Sequence, residues 1–285
     1  MSIELKSVSY TYSPNTPYSS KALDNISLTI DTGEYIGIIG KTGCGKSTLV
    51  QIIDGLINAD SGSVLFDGQD INKKSFDRSV LRKNIGMVFQ FPEYQLFETT
   101  VEKDVAFALK HSRLSKTEIR CRVKESLEAV GFDYDKIKDK SPLSLSGGEK
   151  RRAAIAGVLV SKPNYLILDE AIAGLDPLGK TKFMDLIDRL NEMGTAIIMI
   201  SHNTDIIAEH TSRVLLMNNG KILRDGKTTD VLSDYDMLVK SGINPCQVSN
   251  IAEKLRNNGV QISDSTIKYN QLIEEICRTY KGGCI

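Results

Sequence analysis

The chain has 285 residues, 41% of them hydrophobic and 25% charged, and its 36 basic residues balance 36 acidic ones. That length buries a full core for one large domain plus an extension, and the charge balance argues against a globally cationic nucleic-acid binder. Five scattered cysteines (Cys44, Cys121, Cys246, Cys277 and Cys284) lack metal-ligand spacing and fit a reducing cytosol.

In chain order, the amino terminus MSIELKSVSYTY alternates like a strand and has no signal-type apolar stretch. The longest apolar runs, YLIL and AIIMI, are far too short to span a bilayer. EYIGIIG (34–40) is a β-branched run that stops at glycine, and KSTLVQIIDGL (46–56) takes helical spacing through Leu49, Ile52, Ile53 and Leu56. The segment from Phe91 to Leu145 turns helical; within it SKTEIRCRVKESLEAVG opens on a Ser115/Glu118 capping box and carries Ile119, Val123, Leu127 and Val130 on one side. NYLILDE and TAIIMISH are buried-type strands, separated by a helix with Phe183, Leu186, Ile187 and Leu190 on one face. Strands alternating with helices imply a largely parallel α/β sheet, with a helical subdomain inserted over about 91–145. The strand signals cease near Lys240, so 1–240 reads as the main domain. The remainder, 241–285, reads as a small extension with helices near Val248–Asn257 and Thr266–Thr279.

The segment GKTGCGKS (Gly40, Lys41, Thr42, Gly43, Cys44, Gly45, Lys46, Ser47), followed by Thr48, fits G-x-x-x-x-G-K-[ST] between a strand and a helix. Its glycines let backbone N–H groups wrap phosphates, Lys46 reaches the β- and γ-phosphates, and the Ser47 hydroxyl suits Mg²⁺. In YLILDE, Asp169 at the strand end is placed to hold Mg²⁺ through water, and Glu170 is a candidate base for an attacking water. Taken alone, those two acids could equally be solvated loop residues. Ser146, Gly147 and Gly148 precede a strong helix former, so unpaired N–H groups and a positive dipole end could seat an anion; a plain Ser-capped turn has the same pattern.

The P-loop, LSGGE, LILDE, AGLD and ISH, in that order, resemble the ATP-binding-cassette ATPases over about 3–232. The resemblance implies a P-loop NTPase fold and two nucleotides closed head to tail between two cassettes. It makes Tyr12 the aromatic that stacks on adenine, Gln90 the glutamine that senses Mg²⁺ and the attacking water, Asp176 the D-loop aspartate, and His202 the switch histidine on the γ-phosphate. It implies ATP and Mg²⁺ as ligands. The signature residues Ser146, Gly147 and Gly148 then cap the γ-phosphate of ATP held by the other subunit. Glu149 stands where many members have glutamine, and Ala171-Ile172 where Pro-Thr is usual.

Further stretches, FPEYQLFE after Gln90 and SPLSLSGGEKRRAAIAGVL, resemble the ATPases of energy-coupling factor transporters, in particular the second of the two paralogous ATPases. That implies a paralogous ATPase partner (a homodimer being the lesser alternative), a transmembrane coupling protein and exchangeable substrate-binding membrane proteins for vitamins or Ni²⁺/Co²⁺. It implies a peripheral place on the cytoplasmic face of the membrane, no nucleic-acid partner, and a pairing role for the extension. A soluble cassette of DNA maintenance or translation stands as the alternative. Phe91, Tyr94, Leu96 and Phe97 read either as core or as a groove for a coupling helix.

Overall fold

The amino-terminal alternation becomes β1 (Ser2–Tyr12), which turns Ile3, Leu5 and Val8 inward and pairs antiparallel with β2 (Ser20–Asp31). The continuously apolar YIGIIG is β3 (Tyr35–Gly40), buried throughout, and α1 (Lys46–Ile53) follows it. β4 (Ser61–Phe66) and β5 (Gln69–Asp70) complete a four-stranded sheet in the order β2-β1-β4-β5, whose pairings are all antiparallel.

The computed structural model describes residues 1–281, divided into two units: Met1–Lys74 together with Ile198 onward, and Ser75–Ile197. The second unit holds α2 (Ser79–Asn84), β6 (Ile85–Val88), α3 (Val101–Ala106), α4 (Lys116–Ala129), α5 (Tyr134–Ile137), α6 (Gly147–Leu159), β7 (Tyr165–Asp169) and α7 (Pro177–Glu192). β6 and β7 run parallel, from Ile85↔Tyr165 to Val88↔Leu168. α4 has the capping box expected at Ser115, with Val123 and Leu127 buried along it. Thus the unit is wider than 91–145: it also holds β6, β7 and α7, and the signature helix α6 packs against α3, α4 and β6.

β8 (Ala196–Ile200) ends in the first unit, followed by α8 (Thr204–His210), β9 (Arg213–Asn218), β10 (Lys221–Lys227), α9 (Thr228–Leu232) and α10 (Tyr235–Lys240). There the strand order is β10-β9-β3-β8, with β9 parallel to β3 and β10 antiparallel to β9. The core strands are mostly parallel, as their near-continuous apolar runs require. The extension carries α11 (Gln247–Asn257) and α12 (Tyr269–Lys281), over a small core of Leu238, Ile243, Cys246, Val248, Ala252, Ile267 and Leu272. Cys284, in the tail of the predicted 241–285 extension, lies outside the described residues. No helix among the described residues is long and apolar enough to cross a membrane.

Candidate functional site

In the first unit the P-loop closes on itself. Gly45 caps α1 at φ +105°, where a Cβ would collide with the Ala22 carbonyl oxygen, so only glycine fits. No side chain caps α1, which leaves its first-turn N–H groups open to an anion. Lys46, only 6% exposed, donates its ammonium to the carbonyls of Gly40 at 2.7 Å and Lys41 at 3.0 Å. The Cys44 carbonyl accepts the Gly220 N–H at 3.0 Å, tying the loop to the β9–β10 turn. Gly43 and Ser47 are exposed along the loop and the first helical turn.

The Tyr12 hydroxyl shares a 3.1 Å hydrogen bond with Thr48 of α1, and its half-exposed ring stands edge-on to Tyr10 with centroids 4.9 Å apart. His202, exposed beyond β8, lines a 290 Å³ cavity with Lys41, Thr42 and Ser201. The far wall of that cavity is Gly242, Ile243 and Asn244, where the extension begins. Gly242 lies at φ +67°, and a Cβ there would overlap the Lys41 side chain. The Thr204 hydroxyl donates to the Asn244 carbonyl at 2.9 Å, and the Gln247 N–H donates to the Asp205 carboxylate at 2.6 Å.

In the second unit Asp169 ends β7 at 8% exposure, and Glu170 follows at φ +53°, an uncommon conformation for a residue with a Cβ. Gln90 is exposed two residues beyond the Val88↔Leu168 pair, so it leaves the sheet at the same end as Glu170. Ser146 caps α6, and a Cβ at Gly147 or Gly148 would meet nothing within 4 Å, so this helix start is open. Asp176 caps α7 by accepting the Gly179 N–H at 2.7 Å.

Two features extend the sequence reading. Glu149 closes a capping box: Ser146 donates to it from N–H at 2.9 Å and from the hydroxyl at 2.8 Å, and these bonds hold the carboxyl below its ordinary range. The extra charge at the signature is therefore tied to its own helix start, and the S-x-x-E spacing that marked Ser115 marks it too. Arg151 is the residue sequence reasoning missed. Its buried guanidinium donates to the carbonyls of Ala171 at 3.1 Å, Gln90 at 3.0 Å and Glu170 at 3.5 Å. The one cue is a basic residue two positions ahead of the run AAIAG, on a helix whose following residues are built for burial.

The ABC transporter family profile matches residues 23–173, more than half of the chain. Energy-coupling factor transporter ATP-binding proteins EcfA2 of Clostridium tetani and Clostridium perfringens are 43% and 44% identical to it, over 99% and 97% of this chain and 98% and 97% of theirs. The chain belongs to the energy-coupling factor transporter ATP-binding family of ABC ATPases. Among solved structures, cbiO1 of Clostridium perfringens, described as part of the ABC transporter complex cbiONQ, matches this ATPase at a TM-score of 0.72 and 36% identity, covering 88% of this chain and 98% of that one. A dimeric cassette bound to ADP and Pi matches at a TM-score of 0.70 and 29% identity, over 79% of this chain and 98% of that one. The fold is that of the P-loop cassette ATPases.

The donors present suit Mg²⁺: a hydroxyl at Ser47, a carboxylate at Asp169 and an amide oxygen at Gln90 are all hard oxygen ligands. Ser47 belongs to the first unit, and Asp169 and Gln90 to the second; each is a donor of the kind Mg²⁺ takes beside its waters and substrate phosphates.

Proposed function

We propose that this ATPase, the ATP-hydrolysing subunit of an importer of the energy-coupling factor type, works as half of a pair with a paralogous cassette. Near-full-length likeness to transporter ATPases sets aside a soluble role in DNA maintenance or translation. In this reading the loop Gly40–Thr48 binds the phosphates and Lys46 holds their β- and γ-oxygens. Tyr12 stacks on the adenine. Ser47 and Asp169 would hold Mg²⁺, with Gln90 sensing it, and the ion would supply neutralisation of phosphate charge. Glu170 takes the proton of the attacking water while His202 contacts the γ-phosphate. Ser146, Gly147 and Gly148 cap the partner's nucleotide, beside Asp176. Hydrolysis removes the γ-phosphate that the signature helix grips, so the pair opens after each turnover.

The observation that carries membrane coupling is the surface beyond Gln90. Phe91, Tyr94 and Phe97 are exposed, Tyr94 at 83%, which excludes the core reading for these three rings. The rings of Phe91 and Tyr94 lie 6.0 Å apart, and Phe97 stands edge-on to Phe107 at 4.8 Å. An exposed aromatic cluster fits a short helix of a transmembrane coupling protein, which serves exchangeable binders of vitamins or Ni²⁺/Co²⁺ at the cytoplasmic face. On the extension, exposed Ile251 and Ile273 offer apolar contact to a paired subunit. Changing Tyr94 and Phe97 together to serine should abolish co-purification with the membrane subunits or uncouple hydrolysis from vesicle uptake, since each anchor aromatic contributes about 2 kcal/mol or more. The melting temperature of the isolated subunit should stay unchanged. Normal assembly and uptake would refute the docking surface.

A further inference from the structure

We propose that Arg151 is a positioning residue that fixes the backbone of Glu170 and joins it to the loop that follows Gln90. It rests on Glu170 being the general base. Arg151 sits in the second turn of α6 at 5% exposure, and its bonds reach two separate segments of chain. One is the carbonyl of Gln90, just ahead of the 3-10 turn Pro92–Gln95 that bears Tyr94. The other comprises the carbonyls of the left-handed residue Glu170 and of Ala171, in the two successive peptides that follow it. The same guanidinium fills the space beside Gly174, where a Cβ would lie 3.3 Å from its Nη1.

The chemistry explains why this must be arginine. A non-glycine residue at φ +53° persists only when its surroundings over-determine it, and carbonyls held by a charged donor do so. A guanidinium is a planar fork whose nitrogens serve divergent acceptors at once, whereas an ammonium is a single point. A buried guanidinium also needs opposite charge nearby, and Glu93 provides it: its negative charge opposes the effect of burial on Arg151. One Glu93 carboxylate oxygen is itself buried without a hydrogen-bond partner, so this acid is kept at a cost that the neighbouring positive charge offsets. Glu93 lies between Phe91 and Tyr94. Movement of the aromatic loop therefore bears on the guanidinium directly, and through it on the carbonyl of the catalytic glutamate.

The test is steady-state ATP hydrolysis by the complete transporter complex carrying Arg151→Lys or Arg151→Gln, with turnover normalised to nucleotide bound per site. The expected result is a kcat lower by about tenfold or more with KM for ATP within about threefold, and no rescue by lysine, because misaiming a base slows chemistry and spares binding. A merely structural arginine would reduce the number of binding sites and leave turnover per bound nucleotide unchanged. Native turnover per site, or a raised KM with native kcat, overturns the proposal. If the arginine variants do not fold, Glu93→Gln replaces them, with an expected kcat loss of about two- to fivefold at constant KM; an unchanged kcat there also overturns it. Glu170→Gln in the same complex separates the failures. If it hydrolyses ATP normally, the base assignment falls, whereas an inactive Glu170→Gln beside a native Arg151→Lys defeats the positioning role alone.

Discussion

The P-loop and the segment around Glu170 differ in how far the hydrogen bonds of their buried cations reach. Gly40 to Thr48 is a contiguous stretch whose key cation bonds to carbonyls five and six residues away. Glu170 is fixed by Arg151, whose bonds span 19, 20 and 61 positions of chain. A locally closed loop keeps its shape when neighbours move, as a binding element should. A segment whose local turn bond is joined by a distant side chain feels shifts in that side chain's other anchors, which suits a step that must wait for a partner and a membrane protein.

Substitutions can break this contrast at different depths. The largest effect is expected from Glu170→Gln: ATP binding persists while hydrolysis falls by about 10²–10⁴-fold, the usual contribution of a general base. A filter-binding assay beside a phosphate-release assay separates the two, and a native rate would remove Glu170 from the chemistry. Next comes Lys46→Ala, which deletes a charged donor from the loop itself. Loss of one charge-assisted contact lowers nucleotide affinity by about 10–100-fold, readable by titration calorimetry. Should affinity survive while turnover alone collapsed, the loop would not be the binding element.

The smallest effect sharpens the picture of the P-loop helix. Asp54, at the end of α1, has a carboxyl pushed up to about 7 by burial. In the unfolded chain it ionises near its ordinary value, so the folded state loses relative stability as pH rises from about 4 to about 7. Asp54→Asn should therefore raise Tm at pH 8, by about 2–4 °C for each kcal/mol recovered, and leave it unchanged near pH 4. An equal gain at both pH values would trace the effect to helix capping and not to charge.

Contiguity decides how much was legible in advance. The strand–loop–helix at Gly40–Ser47, the capping box at Ser115 and the paired helices of the extension are encoded by neighbours in sequence, and the structure places them as expected. Boundaries moved where a single residue changed the backbone. The first helix ends at Ile53, because Asp54 closes it and Gly55 takes φ +73°, which leaves Leu56 exposed outside the helical face assigned to it. The last helix begins at Tyr269 and not near Thr266, because Thr266 and Ile267 are buried in the turn before it and Gln271 accepts the N–H of Ile267 and Lys268. The amino-terminal antiparallel sheet was not foreseen beyond β1, since its pairings join strands across intervening chain. Arg151 was invisible for the same reason. Its meaning lies in acceptors that no spacing rule connects.

Gly242 lines the cavity beside Lys41 and His202 at φ +67°, and a Cβ there would displace the end of the Lys41 side chain. The junction of the extension is thus part of the cleft beside the P-loop and not a detachable handle. A cassette trimmed after Lys240 loses a wall of that cleft along with its tail. An extension grafted from a paralogue would need a residue that accepts a left-handed backbone at this joint, so drift in the extension is constrained by the loop it abuts.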